Sequence, residues 1–252
     1  MSDTMLRVFG WKPLLFNGDP CVLDRWLWLR RHLRRGPVRT FDAGCGNGAF
    51  SIYSARCGNE VVAGSFSPRE QQDAQRRAQT LGVTGIDFRT LDLREIEDHR
   101  DALGSFDQII CFETVEHVID DEGLVRSLAA MLRPGGQLLL TAPFEGHRPL
   151  YTEQRHPSPV EDGSHVRYGY TQERLRLLAE GAGLEVVSEG FVSGVVSQKL
   201  TDLMRRLTAR LGLLAGWAIV LPLRPLVILD APLSRMLGYP YLSVALGGVK
   251  RA

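Results

Sequence analysis

The chain lacks several features that would assign a protein class on their own. Its 252 residues hold 30 Lys or Arg and 29 Asp or Glu, so the formal charge is +1 and no overall basic field would attract nucleic acid. The apolar, uncharged run over residues 211–223 has 13 residues, fewer than the ~20 that a helix needs to cross a bilayer. The N-terminus has no apolar signal-peptide stretch. We therefore expect a cytoplasmic protein with no nucleic-acid partner.

Cysteine is also scarce. The four cysteines form no C-x-x-C pair and are too few for a secreted disulfide scaffold, which indicates thiols in a reducing compartment. We predict no metal site. With 44% hydrophobic and 23% charged residues, the chain has the composition of a globular protein and enough length for one large core.

Short apolar runs alternate with helix-period segments over most of the chain. This alternation predicts βαβ units and a parallel sheet. The runs that we interpret as strands are 38–41, 61–63, 86–88, 108–111, 137–141, 184–187 and, last, 241–246.

Local signals mark the ends of several predicted helices. Ser67, Pro68 and Glu70 form the pattern of a capping box, and that helix should stop at Gly82. The helix before the 137–141 strand should end at Pro134-Gly135-Gly136. Thr171 is a candidate N-cap for a helix that runs to about Glu180.

A glycine-rich turn follows the first predicted strand, in Phe41-Asp42-Ala-Gly44-Cys-Gly46-Asn-Gly48. Glycines here let a ligand approach the backbone, and the helix that follows offers free N–H groups. A phosphate-binding P-loop needs a lysine, and residues 13–198 contain none. A dinucleotide fingerprint needs G-x-G-x-x-G, whereas the spacing here is G-x-G-x-G.

The turn resembles motif I of the class I S-adenosylmethionine-dependent methyltransferases. Residues 106–118 look like that family's fourth-strand motif, with the E-x-x-E-H ending of ubiquinone-biosynthesis O-methyltransferases, and residues 132–143 look like its fifth strand. The resemblance implies a Rossmann-like α/β fold, with a mostly parallel sheet whose last strand is antiparallel. It also implies S-adenosylmethionine as cofactor.

The resemblance further implies which residues bind that cofactor. The glycines would pass beneath its methionine and ribose parts, Asp42 would orient the loop or the amino group, and Asp92 with Leu93 would meet the adenine. Phe112 and Glu113 would border the methionine tail. The full set is Asp42, Gly44, Gly46, Gly48, Ser65, Phe66, Asp92, Leu93, Phe112 and Glu113.

One position departs from the family pattern. The second strand should end in an acid that takes both ribose hydroxyls, but the chain has Ser65 there. Serine makes weaker, neutral hydrogen bonds, a loss of roughly 1–3 kcal/mol. We therefore expect weaker cofactor binding or compensation from another group.

Histidine is the candidate general base if the acceptor must lose a proton. His117 follows the fourth-strand motif, His147 lies just past the fifth strand, and His165 precedes the next helix. Each also has a simpler interpretation, as a loop hydrogen-bonding or surface residue. The 144–170 loop is long enough to be a lid over the site.

The remaining segments lie outside the predicted catalytic fold. We divide the chain into an N-terminal helical cap (1–36), a methyltransferase domain (37–192 with 241–252) and an apolar, basic helical insertion (193–240). A helix over about 23–35 should cover the cofactor site and present a solvated basic face. Within the insertion, 199–235 is a candidate membrane or lipid contact; the alternatives are a cap on the acceptor pocket, core packing and a homodimer interface.

The resemblance implies methyl transfer, and we expect a small, hydrophobic acceptor with oxygen as the favoured target atom. Two alternatives stay open. One is a lipid-linked or isoprenoid acceptor at the membrane surface; the other is a catalytically silent, methyltransferase-like binding protein, which the missing ribose acid favours and the intact glycine turn opposes.

Overall fold

A computed structural model describes residues 3–16, 19–151, 153 and 156–251. Its centre is one seven-stranded sheet with the strand order 3-2-1-4-5-7-6. The strands are β1 (Arg39–Ala43), β2 (Glu60–Ser65), β3 (Ile86–Thr90), β4 (Phe106–Phe112), β5 (Leu132–Pro143), β6 (Leu184–Val192) and β7 (Ser243–Lys250).

Helices pack on both faces of this sheet. They are α1 (Asp3–Phe9), α2 (Pro13–Phe16), α3 (Pro20–His32), α4 (Ala49–Arg56), α5 (Pro68–Thr80), α6 (Arg100–Leu103), α7 (Asp121–Ala130), α8 (Gln172–Gly181), α9 (Val195–Leu211), α10 (Leu213–Val220) and α11 (Asp230–Leu237). Short 3₁₀ segments lie at Leu93–His99, Val115–His117 and Leu221–Leu229.

The sheet confirms the predicted fold class. Strands β1 to β5 pair in parallel, and β7 runs antiparallel between β5 and β6. The carboxyl ends of β1 to β4 therefore meet at one edge, where open α/β sheets bind ligands. The four cysteines are free thiols.

Two helix boundaries differ from the sequence prediction. Helix α7 ends at Ala130, so Pro134-Gly135-Gly136 lies inside β5, where the pairing with β4 shifts register between Phe106 and Gln108. A β-bulge accommodates a proline and glycines that would end a helix. Helix α3 spans Pro20–His32 rather than about 23–35. It begins at Pro20 because the Asp19 side chain accepts the Cys21 N–H, at 2.8 Å, and caps the first turn.

The N-terminal helices and the insertion share a second hydrophobic core. Leu6, Leu14 and Leu23 pack in one cluster with Leu200 and Val227. The main core lies between the sheet and α7 and α8. Segments at opposite ends of the chain therefore cover the same side of the sheet.

The insertion is anchored at the start of α9. The Asp230 carboxylate accepts hydrogen bonds from the Val196 and Ser197 backbone N–H groups and from the Ser197 hydroxyl, which satisfies donors that a helix N-terminus leaves free. Residues 213–237 form one helical run that is long and apolar enough to cross a membrane by length and composition alone, and 28% of its apolar 18-residue window is buried.

Candidate active site

A cavity of about 510 Å³ opens at the carboxyl ends of β1 to β4. Its walls come from the turns that follow these four strands, together with the loop before α8. The lining residues are Gly44, Gly46, Ser65, Phe66, Glu70, Leu91, Asp92, Leu93, Arg94, Glu113, Thr114, His117, Val118, Glu161, Asp162 and Gly163. Seven of the ten predicted cofactor residues are in this set.

Gly44 is required by both backbone conformation and space. Its φ is +86°, and a Cβ there would lie 2.3 Å from the Thr114 Oγ1. The N–H groups of Gly44 and Cys45 both donate to the Gly64 carbonyl, at 2.9 Å, and hold the turn against β2. The turn therefore passes close under the cavity floor.

Three predicted cofactor residues lie outside the cavity lining. Asp42 is buried and accepts a hydrogen bond from the Ser51 hydroxyl at 2.5 Å, so it fixes the loop from below; burial raises its pKa to about 6. Gly48, at φ +78°, precedes α4 and packs against Ala74 of α5. Phe112 stacks edge-on with Phe50. The side chains of Asp42 and Phe112 thus contact α4 rather than the cavity.

Ser65 ends β2 in the place where the family pattern has an acid. Its hydroxyl donates to the Glu70 Oε2 at 2.9 Å, and both residues line the cavity. Glu70 therefore supplies a carboxylate to the part of the cavity wall where this chain lacks the acid of the family pattern.

The cavity wall at Asp92 and Leu93 is tied to the loop before α8. Asp92 accepts hydrogen bonds from the Arg94 side chain, which lower the pKa of Asp92. Arg94 also donates to the Glu161 carbonyl at 3.3 Å, and the Glu161 carboxylate accepts the Ile119 N–H at 2.6 Å. Residues 161–163 of the predicted lid (144–170) thus line the cavity.

A second cavity of about 470 Å³ adjoins the first and shares Glu113, His117 and Gly163 with it. Its walls come from α3, the end of β4, the loop before α8, α9 and the start of β7. The lining residues are Asp19, Arg25, Glu113, Glu116, His117, Pro143, Leu150, Glu153, Gly163, Ser164, His165, Arg205 and Leu242.

Two glutamates lie at or beside the wall that the cavities share: Glu113 lines both cavities, and Glu116 lines the second. Glu113 has φ +50°, a strained conformation for a residue with a side chain, and its Oε2 accepts from the Ser243 hydroxyl at 3.1 Å. Glu116 is fully buried, and neither of its carboxylate oxygens has a hydrogen-bond partner among the described residues. Burial, and then the charge of Glu113, raise the pKa of Glu116 well above its ordinary value.

Two of the three predicted base candidates lie beside this pair. The rings of His117 and His165 are edge to face, with centroids 4.7 Å apart. The Nδ1 of His117 lies 3.1 Å from the Ser164 carbonyl oxygen, which only accepts, so a neutral His117 carries its proton on Nδ1 and keeps a lone pair on Nε2. Burial, and then His117, lower the pKa of His165.

The same cluster could hold a metal ion, which the sequence did not predict. Glu116, His117 and His165 each offer one ligand atom, and these atoms lie within 4.8 Å of one another. One carboxylate with two imidazoles suits a divalent first-row metal.

His147, the third base candidate, lies outside both cavity linings. Its Nε2 contacts the Glu153 carboxylate at 2.6 Å, its Nδ1 contacts the Phe144 carbonyl, and its ring stacks on Tyr168. Its side chain is buried. The structure therefore assigns His147 to holding the loop, because both ring nitrogens are already engaged.

Sequence reasoning missed the residues that distant segments contribute. Arg25, to which the sequence motifs assign no role, lines the second cavity; burial opposes its charge, and the neighbouring carboxylates, Glu113 first, raise its pKa nonetheless. Arg205 enters from α9. For Glu116 a signal existed in the E-x-x-E-H motif, and for Glu70 in its place three residues after a helix cap.

Comparisons with known proteins agree with this geometry. A family model described as "Methyltransferase domain" matches residues 23–189. The ubiquinone biosynthesis O-methyltransferase of Xanthomonas axonopodis pv. citri is 32% identical over 114 residues, which are 45% of this chain and 46% of that protein. The chain thus matches about half the length of this relative.

Solved structures match over most of the chain at low identity. A putative sarcosine dimethylglycine methyltransferase from Galdieria sulphuraria has a TM-score of 0.61 and 16% identity, covering 91% of this chain and 85% of that one. A [4+2]-cyclase, SpnF, has a TM-score of 0.58 and 19% identity, covering 90% and 80%. Because these similar folds carry names of different reactions, fold alone does not define the chemistry.

Proposed function

This chain belongs to the methyltransferase domain family, and from that premise we propose that it transfers the methyl group of S-adenosylmethionine to an oxygen of a small, hydrophobic acceptor. The cavity at the glycine turn takes the donor. The adjoining cavity takes the acceptor.

The observation that carries this proposal is the meeting of the two cavities at Glu113 and His117. Methyl transfer from a sulfonium needs the nucleophile, the methyl carbon and the sulfur in line, and the donor already carries the electrophile. Two adjoining cavities with a shared wall allow this alignment. The protein must then supply position and a proton acceptor.

His117 is the proton acceptor in this proposal. With Nδ1 bound to the Ser164 carbonyl, Nε2 is left to take the proton of an acceptor hydroxyl. Removing that proton turns a weak oxygen nucleophile into a strong one before it attacks the methyl carbon. A metal ion on Glu116, His117 and His165 would activate the same hydroxyl by lowering its pKa.

Oxygen as the target is supported by the names of the matched relatives, which are ubiquinone biosynthesis O-methyltransferases. We extend to this chain only the chemistry of such an acceptor, a phenol on a hydrophobic molecule. The test is to incubate the protein with methyl-deuterated S-adenosylmethionine and a panel of catechols with lengthening apolar tails. A labelled methyl ether, with S-adenosylhomocysteine in equal amount, is the expected product.

Two controls give the outcome its meaning. The same reactions after treatment with a chelator, and after adding back Zn²⁺ or Mn²⁺, distinguish a histidine base, which keeps its activity, from a metal site, which loses and regains it. Label found only on nitrogen or carbon would contradict an oxygen target. A protein that binds no donor would agree with a silent binding protein instead.

We also propose that the insertion brings the enzyme to an anionic membrane surface, where hydrophobic acceptors accumulate. Leu214, Ile228 and Met236 are 82%, 73% and 73% exposed. Arg224 and Asp230, two of the charged residues that interrupt the apolar sequence, are buried. Apart from Arg235 on α11, the exposed residues of the 213–237 segment are apolar, and the exposed Arg206 and Arg210 lie towards the end of α9 just before it.

Vesicle co-sedimentation tests this surface. The protein should pellet with vesicles of phosphatidylglycerol and phosphatidylcholine, less with phosphatidylcholine alone, and less at high salt. The double variant Leu214→Asp/Ile228→Asp should stay in the supernatant. The matched control, Leu177→Asp/Val187→Asp, changes two exposed apolar residues on α8 and β6. Equal behaviour of the two double variants would refute the assignment.

A further inference from the structure

We infer that Glu70 is the carboxylate that binds the ribose of the methyl donor, in place of the acid that the chain lacks at position 65. The inference rests on the proposed function, since it concerns the donor cavity. It assigns a binding role to a residue on α5 that the sequence motif does not include.

The first observation is that Glu70 leaves the role its sequence position predicts. In a capping box its carboxylate would accept the Ser67 N–H. The Ser67 hydroxyl does accept the Glu70 N–H, at 3.3 Å, but the Ser67 N–H points to the Ser65 hydroxyl instead, at 3.4 Å. Only half of the capping box forms, and the Glu70 carboxylate is directed to the end of β2.

The second observation is where that carboxylate lies. Its Oε2 is 2.9 Å from the buried Ser65 hydroxyl, and both side chains line the donor cavity. In Rossmann-like folds an acid about 20 residues after the glycine turn, at the end of the second strand, binds the ribose hydroxyl. Ser65 occupies this place, 21 residues after Gly44, and Glu70 is its hydrogen-bond partner.

The chemistry of the pair suits a vicinal diol. A carboxylate has two oxygens that accept only, whereas two adjacent hydroxyls each offer a proton. Because the Ser65 hydroxyl donates to Glu70, its own oxygen stays able to accept. The N-terminus of α5, where Glu70 sits, favours a negative charge. The serine and the glutamate together therefore offer what one aspartate offers in the family pattern.

The alternative is that Glu70 only orders the end of β2. A structural role would affect every ligand of the cavity alike and would lower the stability of the free protein. A ribose-binding role would weaken only ligands that carry the hydroxyls.

The test is calorimetric titration of the full chain with S-adenosylhomocysteine and with its 2′-deoxy and 3′-deoxy analogues. Glu70→Gln should weaken S-adenosylhomocysteine binding about tenfold, because a charged hydrogen-bond acceptor becomes neutral. It should weaken at least one deoxy analogue much less. Asp73→Asn, with the same charge change on the same helix but outside the cavity lining, should bind all three ligands like the unchanged protein.

A second substitution tests whether affinity can be regained rather than lost. Ser65→Asp in the Glu70→Gln background should restore affinity. In the unchanged background it should not raise affinity, because two carboxylates would then crowd one site. An unchanged affinity of Glu70→Gln, or an equal loss for all three ligands, would overturn the inference. If the unchanged protein binds no S-adenosylhomocysteine, the proposed function falls as well, so the two failures are distinguishable.

Discussion

The two cavities, which we propose as the donor cavity and the acceptor cavity, are built in different ways. The donor cavity takes most of its lining from turns that directly follow four neighbouring parallel strands, with residues 161–163 added from the loop before α8. The acceptor cavity takes Asp19 and Arg25 from one end of the chain and Arg205 and Leu242 from the other, with the β4 turn between them.

This difference separates what is local from what is assembled. A strand followed by a tight turn fixes its residues within a few positions, so the donor side follows from short motifs. The acceptor side exists only when α3 and α9 pack together over the sheet, through the second core of Leu6, Leu23 and Leu200. We expect changes on the donor side to affect binding of the methyl donor, and changes on the acceptor side to affect turnover.

The largest expected effect is on the acceptor side, at the wall that both cavities share. His117→Ala should lower turnover by about 10²–10⁴-fold, since that is the typical contribution of a general base. Affinity for S-adenosylhomocysteine should change little, because the side chain serves the acceptor proton. The measurements are initial rates and calorimetric titration, with His99→Ala as the control. Retained turnover, or loss of donor binding in parallel, would remove the distinction between the two sides.

The next effect is on the donor side. Gly44→Ala places a Cβ 2.3 Å from the Thr114 Oγ1 at φ +86°, which should cost about 2–4 kcal/mol of unfolding free energy or shift the turn and abolish donor binding. Gly82→Ala is the control: its φ is +63° but the added Cβ meets nothing within 4 Å, so about 1 kcal/mol is expected. Denaturant unfolding and donor titration check both. A Gly44→Ala protein that binds normally would show that the turn does not approach the donor.

The smallest effect concerns His147, which supports the loop between the two sides. Burial lowers the pKa of His147, but the hydrogen bonds to Glu153 and Phe144 outweigh it and raise that pKa above the ordinary 6.5. Burial raises the pKa of Glu153, but the hydrogen bond to His147 outweighs it and lowers that pKa below the ordinary 4.5. A histidine whose pKa is raised by folding stabilises the folded protein fully below pH 6.5, and this stabilisation is lost as the pH rises through the pKa of the folded state. A lowered glutamate pKa stabilises above pH 4.5 and loses it as pH falls.

The pair therefore stabilises most between these two values. His147→Gln should lower the unfolding free energy by about 1–3 kcal/mol near pH ~5.5, with a smaller loss above pH ~8. Denaturant unfolding at several pH values measures this difference, with His99→Gln as the control. A constant difference across pH would contradict the charged pair, and a loss of turnover as large as that of His117→Ala would return His147 to the catalytic candidates.

The sequence predicted most of the donor side because its signals are local. A serine cap, a proline and the glycine spacing act within a few residues, and they placed α5 and the turn at Gly44 correctly. Errors arose where one local signal served another purpose. Pro134-Gly135-Gly136 forms an irregularity in β5 rather than a helix end, and the Glu70 side chain turns from its helix cap to Ser65.

Motif spacing alone did not reveal which side of the backbone each residue faces. Asp42 and Phe112 belong to the right motifs but point into the core, because alternate residues of a strand face opposite ways and one side is closed by α4. His117, His147 and His165 were equal candidates in the sequence. Only their neighbours distinguish them. His117 and His165 lie beside two glutamates in the second cavity, whereas His147 is bound to Glu153 and to a backbone carbonyl.

The sequence by itself determined the α/β fold, the order of the sheet's motifs and the donor turn, because hydrophobic periodicity, helix caps and glycine conformations are properties of short segments. The tertiary structure alone decided the proposed acceptor cavity, the place of Arg25 in its wall, the burial of Arg224, and the pairing of Ser65 with Glu70. Such features depend on which side chains meet after distant segments pack, and the free energy of burying a charge depends on those neighbours rather than on the residue itself.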